Sequence, residues 1–185
     1  MKTLAMSALA TAALATAGVA QAQPSLTGAP DLQSGRLAKA PPPPAPPARG
    51  PALALAVEGA MAAIQACAAN GYKVTAVVLD SSGAQRVVLA NDGAPGMTAQ
   101  VGTRKAFTAV TFKTSSGAVG ERAKTDKALA DRIAADPRLI TWAGAQPLMA
   151  GSELIGALGV SGAPGGDKDD ACTSAGIAKI KDRLK

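Results

Sequence analysis

Apolar residues at helical spacing open the folded part of the chain. They lie three or four positions apart, at Leu53, Val57, Met61, Ile64 and Cys67. Gly71 follows at the position of a C-terminal cap. The spacing predicts an amphipathic helix over 52–70.

The next apolar runs are short and β-branched, as is typical of strands. Runs over 74–79 and 85–89 flank Asp80-Ser81-Ser82-Gly83, whose residue types favour a turn. The two runs therefore predict an antiparallel hairpin. Further strand candidates lie over 139–142, 146–149 and 154–160, and the last two are joined by a second turn at 150–153. About five strands are therefore expected.

Helical spacing returns over 97–113, over a charged region at 118–135 and over 169–184. The last segment has acidic residues at its start and basic residues at its end, as the helix dipole favours. Hairpin-linked strands with helices between and around them predict an α+β fold whose sheet is mostly antiparallel.

The N-terminal third has a different composition. Residues 1–22 combine Lys2, an apolar alanine-rich run and an A-x-A site at Ala20-Gln21-Ala22, the pattern of a secretory signal peptide cleaved before Gln23. Nine of the 13 prolines fall within 23–51, which predicts a disordered, extended arm or linker, or else a ligand for an aromatic groove. We expect a folded domain over 52–185 in a periplasmic or secreted protein.

Charge and missing residue types exclude several functions. The domain has 15 Lys and Arg against 12 Asp and Glu and few aromatic rings, which disfavours nucleic-acid binding. The chain has no histidine, so Ser-His-Asp and Cys-His catalysis, most zinc sites and a histidine haem ligand are excluded. A catalytic role is less expected than a binding role.

Two cysteines, Cys67 and Cys172, fall in predicted helices at opposite ends of the domain. In an oxidising compartment an even count favours a disulfide. Two separately buried small side chains would fit the pattern equally well. Both interpretations stay open from the sequence.

Two polar groups are candidates for ligand contact. Arg104, Thr108 and Thr111 share a helix face and would suit a carboxylate, although a solvated face explains them too. Asp167, Asp169 and Asp170 follow the glycine-rich "SGAPGG" and would suit a hard cation, although helix capping explains them more simply.

Several blocks of the domain resemble the GlcG/HbpS-like (DUF336-type) proteins, which are related to the C-terminal domain of PduO-type cobalamin adenosyltransferases. The blocks are "KVTAVVLDSSGAQRVVLANDGA", "RKAFTAVTFKTSS" and "GAQPLMAGSELIGALGVSGAPGGDKDDACTSAG". The resemblance covers essentially all of 52–185. It implies a profilin-like α+β domain that forms homo-oligomers.

The same resemblance implies an exported binding protein for haem or a related tetrapyrrole, used in sensing or scavenging, with a membrane sensor as a partner in the secreted branch. The positions that match a hydroxyl site near the iron are Thr114, Ser115 and Ser116. Arg104, Lys105 and Arg122 are available for the haem propionates, and Thr108 lies beside them. The alternative is an enzyme or accessory protein for a small, glycolate-like organic acid, with Arg104 or Lys105 as anion clamp and Thr108 and Asp80 or Asp92 lining the pocket.

Overall fold

The computed structural model describes residues 47–185. The predicted signal peptide, and all of the predicted arm except 47–51, lie outside the described residues. Among the described helices, none has the length and apolar character needed to cross a membrane.

Residues 47–185 fold into four strands and five α-helices. In chain order these are α1 (Leu53–Ala68), β1 (Thr75–Asp80), β2 (Gln85–Ala90), α2 (Thr98–Phe112), α3 (Ser116–Ala123), α4 (Lys127–Ala135), β3 (Ala145–Ala150), β4 (Glu153–Ser161), α5 (Gly166–Ile180) and a 3-10 turn (Lys181–Arg183). The strands form one antiparallel sheet in the order β2-β1-β4-β3. The predicted α+β class and both hairpins are confirmed.

The prediction of about five strands is wrong by one. Residues 139–142 form no strand, because side chains of neighbouring helices satisfy their backbone groups. Thr108 bonds both the amide and the carbonyl of Ile140, at 3.0 and 2.9 Å. Arg104 donates to the carbonyl of Leu139, and Ser116 donates to that of Trp142.

Two helix predictions need correction. The region 118–135 forms two helices, because Asp126 accepts a hydrogen bond from the Leu129 amide at 3.0 Å and so caps a new helix start. The last helix begins at Gly166, before the predicted 169, and its α-helical part ends at Ile180.

The sheet is covered on both faces, and β1 is buried along its whole length. Ala76 and Val78 pack in the apolar cluster that α1 and α5 share with the sheet. Val77 and Leu79 point the other way and pack with the buried face of α2. The core is therefore divided between two layers, and α2 covers one side of the two central strands.

The helices α1 and α5 are joined covalently and pack closely. Cys67 and Cys172 form a disulfide, with their Cα atoms 5.5 Å apart, which decides between the two alternatives left open by the sequence. A Cβ at Gly176 would lie 2.5 Å from the carbonyl oxygen of Gly59. Glycine at 176 is what allows the two backbones to approach so closely.

The residues just before α1 lie against the sheet. The Ser81 amide donates to the carbonyl of Arg49 at 2.8 Å, and the Arg49 guanidinium pairs with Glu153. Pro51 is buried. The segment 49–51 therefore contacts the turns at one end of the sheet.

Candidate functional site

A cleft of about 750 Å³ lies beside α2. Its walls are the β1–β2 turn, the side of α2 away from the sheet core and the segment after α4, and its lining residues are Ser82, Gly83, Ala84, Gln85, Ala99, Gln100, Thr103, Arg104, Phe107, Pro137 and Arg138. This volume is within the usual range for sites of small organic ligands and cofactors.

Arg104 is the predicted site residue that lines this cleft. Its Nη2 donates to the Leu139 carbonyl at 2.9 Å, which ties the side chain to the segment after α4. Its Nε is buried and has no hydrogen-bond partner among the described residues. An unpaired buried donor costs roughly 1–3 kcal/mol, so a ligand oxygen at this position would be stabilised.

The aromatic side of the cleft is Phe107. The guanidinium of Arg138 lies over its ring, 4.6 Å from the centroid. Asp136 orients Arg138 by accepting from its Nε at 3.0 Å and from its Nη2 at 2.8 Å. These hydrogen bonds lower the pKa of Asp136 to about 2, so the pair is ionised at neutral pH.

The β1–β2 turn can reach Phe107 only because position 83 is glycine. A Cβ at Gly83 would lie 2.7 Å from the phenyl ring, and the residue has a φ of 84°. The cleft therefore combines a flat apolar wall with two guanidinium groups.

Lys105 is placed on the other side of α2, away from this cleft. It is 2% exposed, and its Nζ lies 2.6 Å from Asp169 Oδ2 and 3.2 Å from the Val160 carbonyl. Burial raises the pKa of the Asp169 carboxyl and outweighs the opposite effect of Lys105. The pair lies at a small cavity of about 280 Å³ next to the exposed Trp142. Lys105 thus joins α2 to the start of α5.

The hydroxyls of Thr108, Ser115 and Ser116 are engaged with backbone groups. Thr108 bonds the 139–142 segment as described above, and Ser115 caps α3 by accepting from the Ala118 amide at 3.3 Å. Ser116 is buried, donates to the Trp142 carbonyl at 2.8 Å and accepts from the Ala145 amide at 3.1 Å. These side chains fix the position of the segment that leads to β3.

Thr114 and Arg122 are more accessible. Thr114 is half-buried at the joint between α2 and α3, and its hydroxyl bonds no other described residue. Arg122 is exposed near the end of α3. Neither lines the cleft, so the structure distributes the predicted site residues over the cleft, the joint and the interior.

The three aspartates at the start of α5 do not converge on one point. Asp169 pairs with Lys105, Asp170 accepts from Gln146 at 3.0 Å, and Asp167 faces solvent beside Lys168. Over residues 47–185, no three His, Cys, Asp or Glu side chains gather to hold a metal ion. The glycine-rich corner before them turns the chain from β4 into α5.

Phe107, Pro137 and Arg138 are site residues that the sequence reasoning missed. Phe107 follows Arg104 at the i+3 position within "RKAF", so its place on the same helix side was predictable. Pro137 lies just past the predicted helical region 118–135, where no ligand contact was expected. Nothing local indicates that Arg138 would return to α2.

The family described as "Haem degrading protein HbpS-like" matches residues 52–178. A double mutant of HbpS from Streptomyces reticuli is 31% identical, with a TM-score of 0.66 over 76% of this chain and 97% of that one. No curated protein sequence matches this chain.

Two less similar structures share the fold. The Klebsiella pneumoniae protein ORFY is 20% identical, with a TM-score of 0.68 over 76% of this chain and 97% of that one. The PduOC structure, a complex with heme, is 21% identical, with a TM-score of 0.66 over 74% of this chain and 97% of that one. The resemblance found in the sequence is thus confirmed, and the chain belongs to the HbpS-like family.

Proposed function

We propose that this chain binds haem or a related tetrapyrrole in the cleft beside α2. The observation that carries the proposal is the buried, unpaired Nε of Arg104 in a cleft large enough for a cofactor. The family description names haem, and the PduOC structure is that of a heme complex. Both support a tetrapyrrole as the ligand class.

The residues of the cleft fit the two chemical parts of such a ligand. Phe107 and Pro137 offer an apolar wall for the face of a ring. Arg104 and Arg138 offer guanidinium groups for propionates, which guanidinium binds through charge-assisted hydrogen bonds. Bound haem would supply an iron centre, while the protein residues hold the ring edge and exclude water from one face.

The residue types favour reversible binding over tight storage. The chain has no histidine, and both cysteines are in the disulfide. Thr114 keeps the accessible hydroxyl of the predicted trio, and a hydroxyl is a weak iron ligand beside histidine or thiolate. Loose, exchangeable binding suits sensing or scavenging.

We also propose that the protein is exported, forms homo-oligomers and acts with a membrane sensor. The signal-peptide pattern of residues 1–22 supports export. The exposed apolar stripe Leu53, Val57 and Met61 on α1 supports self-association. Mass spectrometry of the mature protein should find Gln23 at the N-terminus, and sedimentation should find a species larger than the monomer. An uncleaved N-terminus or a monomer would contradict the respective part.

The binding site is tested by haemin titration of the wild type and three variants, followed in the Soret band. Arg104→Gln should weaken binding about tenfold or more, the worth of one charge-assisted hydrogen bond. Arg122→Gln is the matched control, because Arg122 is exposed and does not line the cleft. If Thr114→Ala weakens binding and Arg104→Gln does not, the ligand lies at the joint of α2 and α3 instead.

A small organic acid is the second candidate, and the unpaired Arg104 Nε favours it as well. The pocket expected from Lys105, Thr108 and Asp80 does not form, since each polar group has its own partner; the Asp80 Oδ1, for instance, accepts from the Ser82 hydroxyl at 2.6 Å. Asp92 is exposed. A thermal shift with glycolate but none with haemin would favour this candidate.

A further inference from the structure

We infer that the cleft recognises the carboxylates and the face of its ligand rather than a bound metal, so that it takes a planar dicarboxylate tetrapyrrole with or without iron. The inference rests on the proposed function and narrows its ligand class. The side chains that line the cleft include donors for carboxylates but no strong ligand for iron.

The residues that line the cleft include no strong ligand for iron. None of its lining residues is His, Cys, Met or Tyr. Its two hydroxyls are already engaged: Thr103 donates to the Ala99 carbonyl at 2.8 Å, and Ser82 donates to Asp80 at 2.6 Å. Thr103 also accepts from Gln85 at 2.8 Å. A metal at the centre of the ring would therefore gain no strong protein ligand here.

The cleft offers two cationic donors for two carboxylates. Arg104 presents a buried Nε without a partner among the described residues. Arg138 uses its Nε and Nη2 on Asp136, which leaves its Nη1 without a hydrogen bond to any described residue. Because both guanidinium groups line the same cleft, a ligand with carboxylates along one edge satisfies both.

The cleft surface that would contact the ring face does not distinguish a ring with iron from one without it. Phe107 and Pro137 offer apolar contact, and the Arg138 guanidinium over one face of Phe107 extends that surface. Stacking and apolar burial depend on the ring and not on its centre. Haem and its iron-free parent ring should therefore lose similar amounts of affinity when the cleft is altered.

The test compares haemin, iron-free protoporphyrin IX and protoporphyrin IX dimethyl ester on the full chain, by Soret absorbance and porphyrin fluorescence. Haemin and the free ring should bind within about threefold of each other, and the ester should bind about tenfold more weakly or worse. Arg138→Gln should weaken both acids alike. Its side chain is 68% exposed, so the fold should tolerate the change.

The outcomes separate the two proposals. Haemin bound more than about tenfold more tightly than the free ring would overturn this inference and leave the proposed function standing. An ester as tight as the acid would overturn the role of the two arginines. No saturable binding of either acid would overturn the proposed function as well.

Discussion

Replacing Lys105 with methionine removes one half of an ion pair that joins α2 to α5. The two side chains are 2% and 4% exposed, and their charged atoms lie 2.6 Å apart. The methionine side chain is unbranched and only one heavy atom shorter, so the main loss is the charge and its two hydrogen bonds. The Asp169 carboxylate then stays buried without its cation.

Removing one partner of a buried ion pair costs about 3–5 kcal/mol, because the other charge stays desolvated. We expect Lys105→Met to lower the free energy of unfolding by about that amount. Adding Asp169→Asn should restore much of the loss, since Asn keeps an oxygen that can accept the hydrogen bond that the Ala163 amide donates to Asp169 Oδ1 at 2.9 Å. Urea unfolding followed by circular dichroism measures each variant and the coupling between them.

The control makes the same substitution in an exposed pair. Lys124 pairs with Glu121 at 2.7 Å, but the side chains are 67% and 73% exposed. Lys124→Met should change stability by no more than about 0.5 kcal/mol. A loss below about 1 kcal/mol for Lys105→Met, or additive effects in the double variant, would show that the two buried side chains do not stabilise each other.

The sign of the pH dependence gives a second check on Asp169. Burial raises the pKa of this carboxyl, and loss of Lys105 should raise it further. A carboxyl with a raised folded-state pKa contributes stability below its unfolded pKa and loses that contribution as the pH rises through the folded value. Lys105→Met should therefore be less destabilising near pH 4 than near pH 7. An equal deficit at both would contradict the assignment.

Two further predictions concern the packing of α1 against α5. Reducing the Cys67–Cys172 bridge, which joins positions 105 apart in sequence, should lower stability by about 4–5 kcal/mol in the loop-entropy account, and a melt with and without dithiothreitol measures it. Gly176→Ala should cost about 1–3 kcal/mol, because its Cβ would lie 2.5 Å from a backbone oxygen of α1. Gly96→Ala, with nothing within 4 Å of its Cβ, is the control and should be nearly neutral.

Local patterns in the sequence predicted most of the fold. The hairpin at Asp80–Gly83 and the helix periodicities depend on neighbouring residues, and the structure has them. The prediction of a strand over 139–142 was wrong. The apolar run is typical of a strand, but its backbone groups bond to side chains such as Thr108, 32 positions away from Ile140. The break at 124–126 depends on the cap at Asp126, which was overlooked.

The candidate site was less predictable because it depends on contacts between distant parts of the chain. Arg104 was identified from its helix face and from the family resemblance, and the structure places it in the cleft. Lys105, its neighbour in sequence, points to the other side of the helix and meets Asp169, which is 64 positions away. Arg138 reaches Phe107 only through the fold. Spacing along one helix does not contain that information.

The most direct test of the proposed function is a crystal structure of the chain with bound haemin. We expect the ring against Phe107, with a propionate oxygen within hydrogen-bonding distance of Arg104 Nε. Haemin seated at Thr114 on the joint of α2 and α3, with the cleft beside α2 empty, would contradict it.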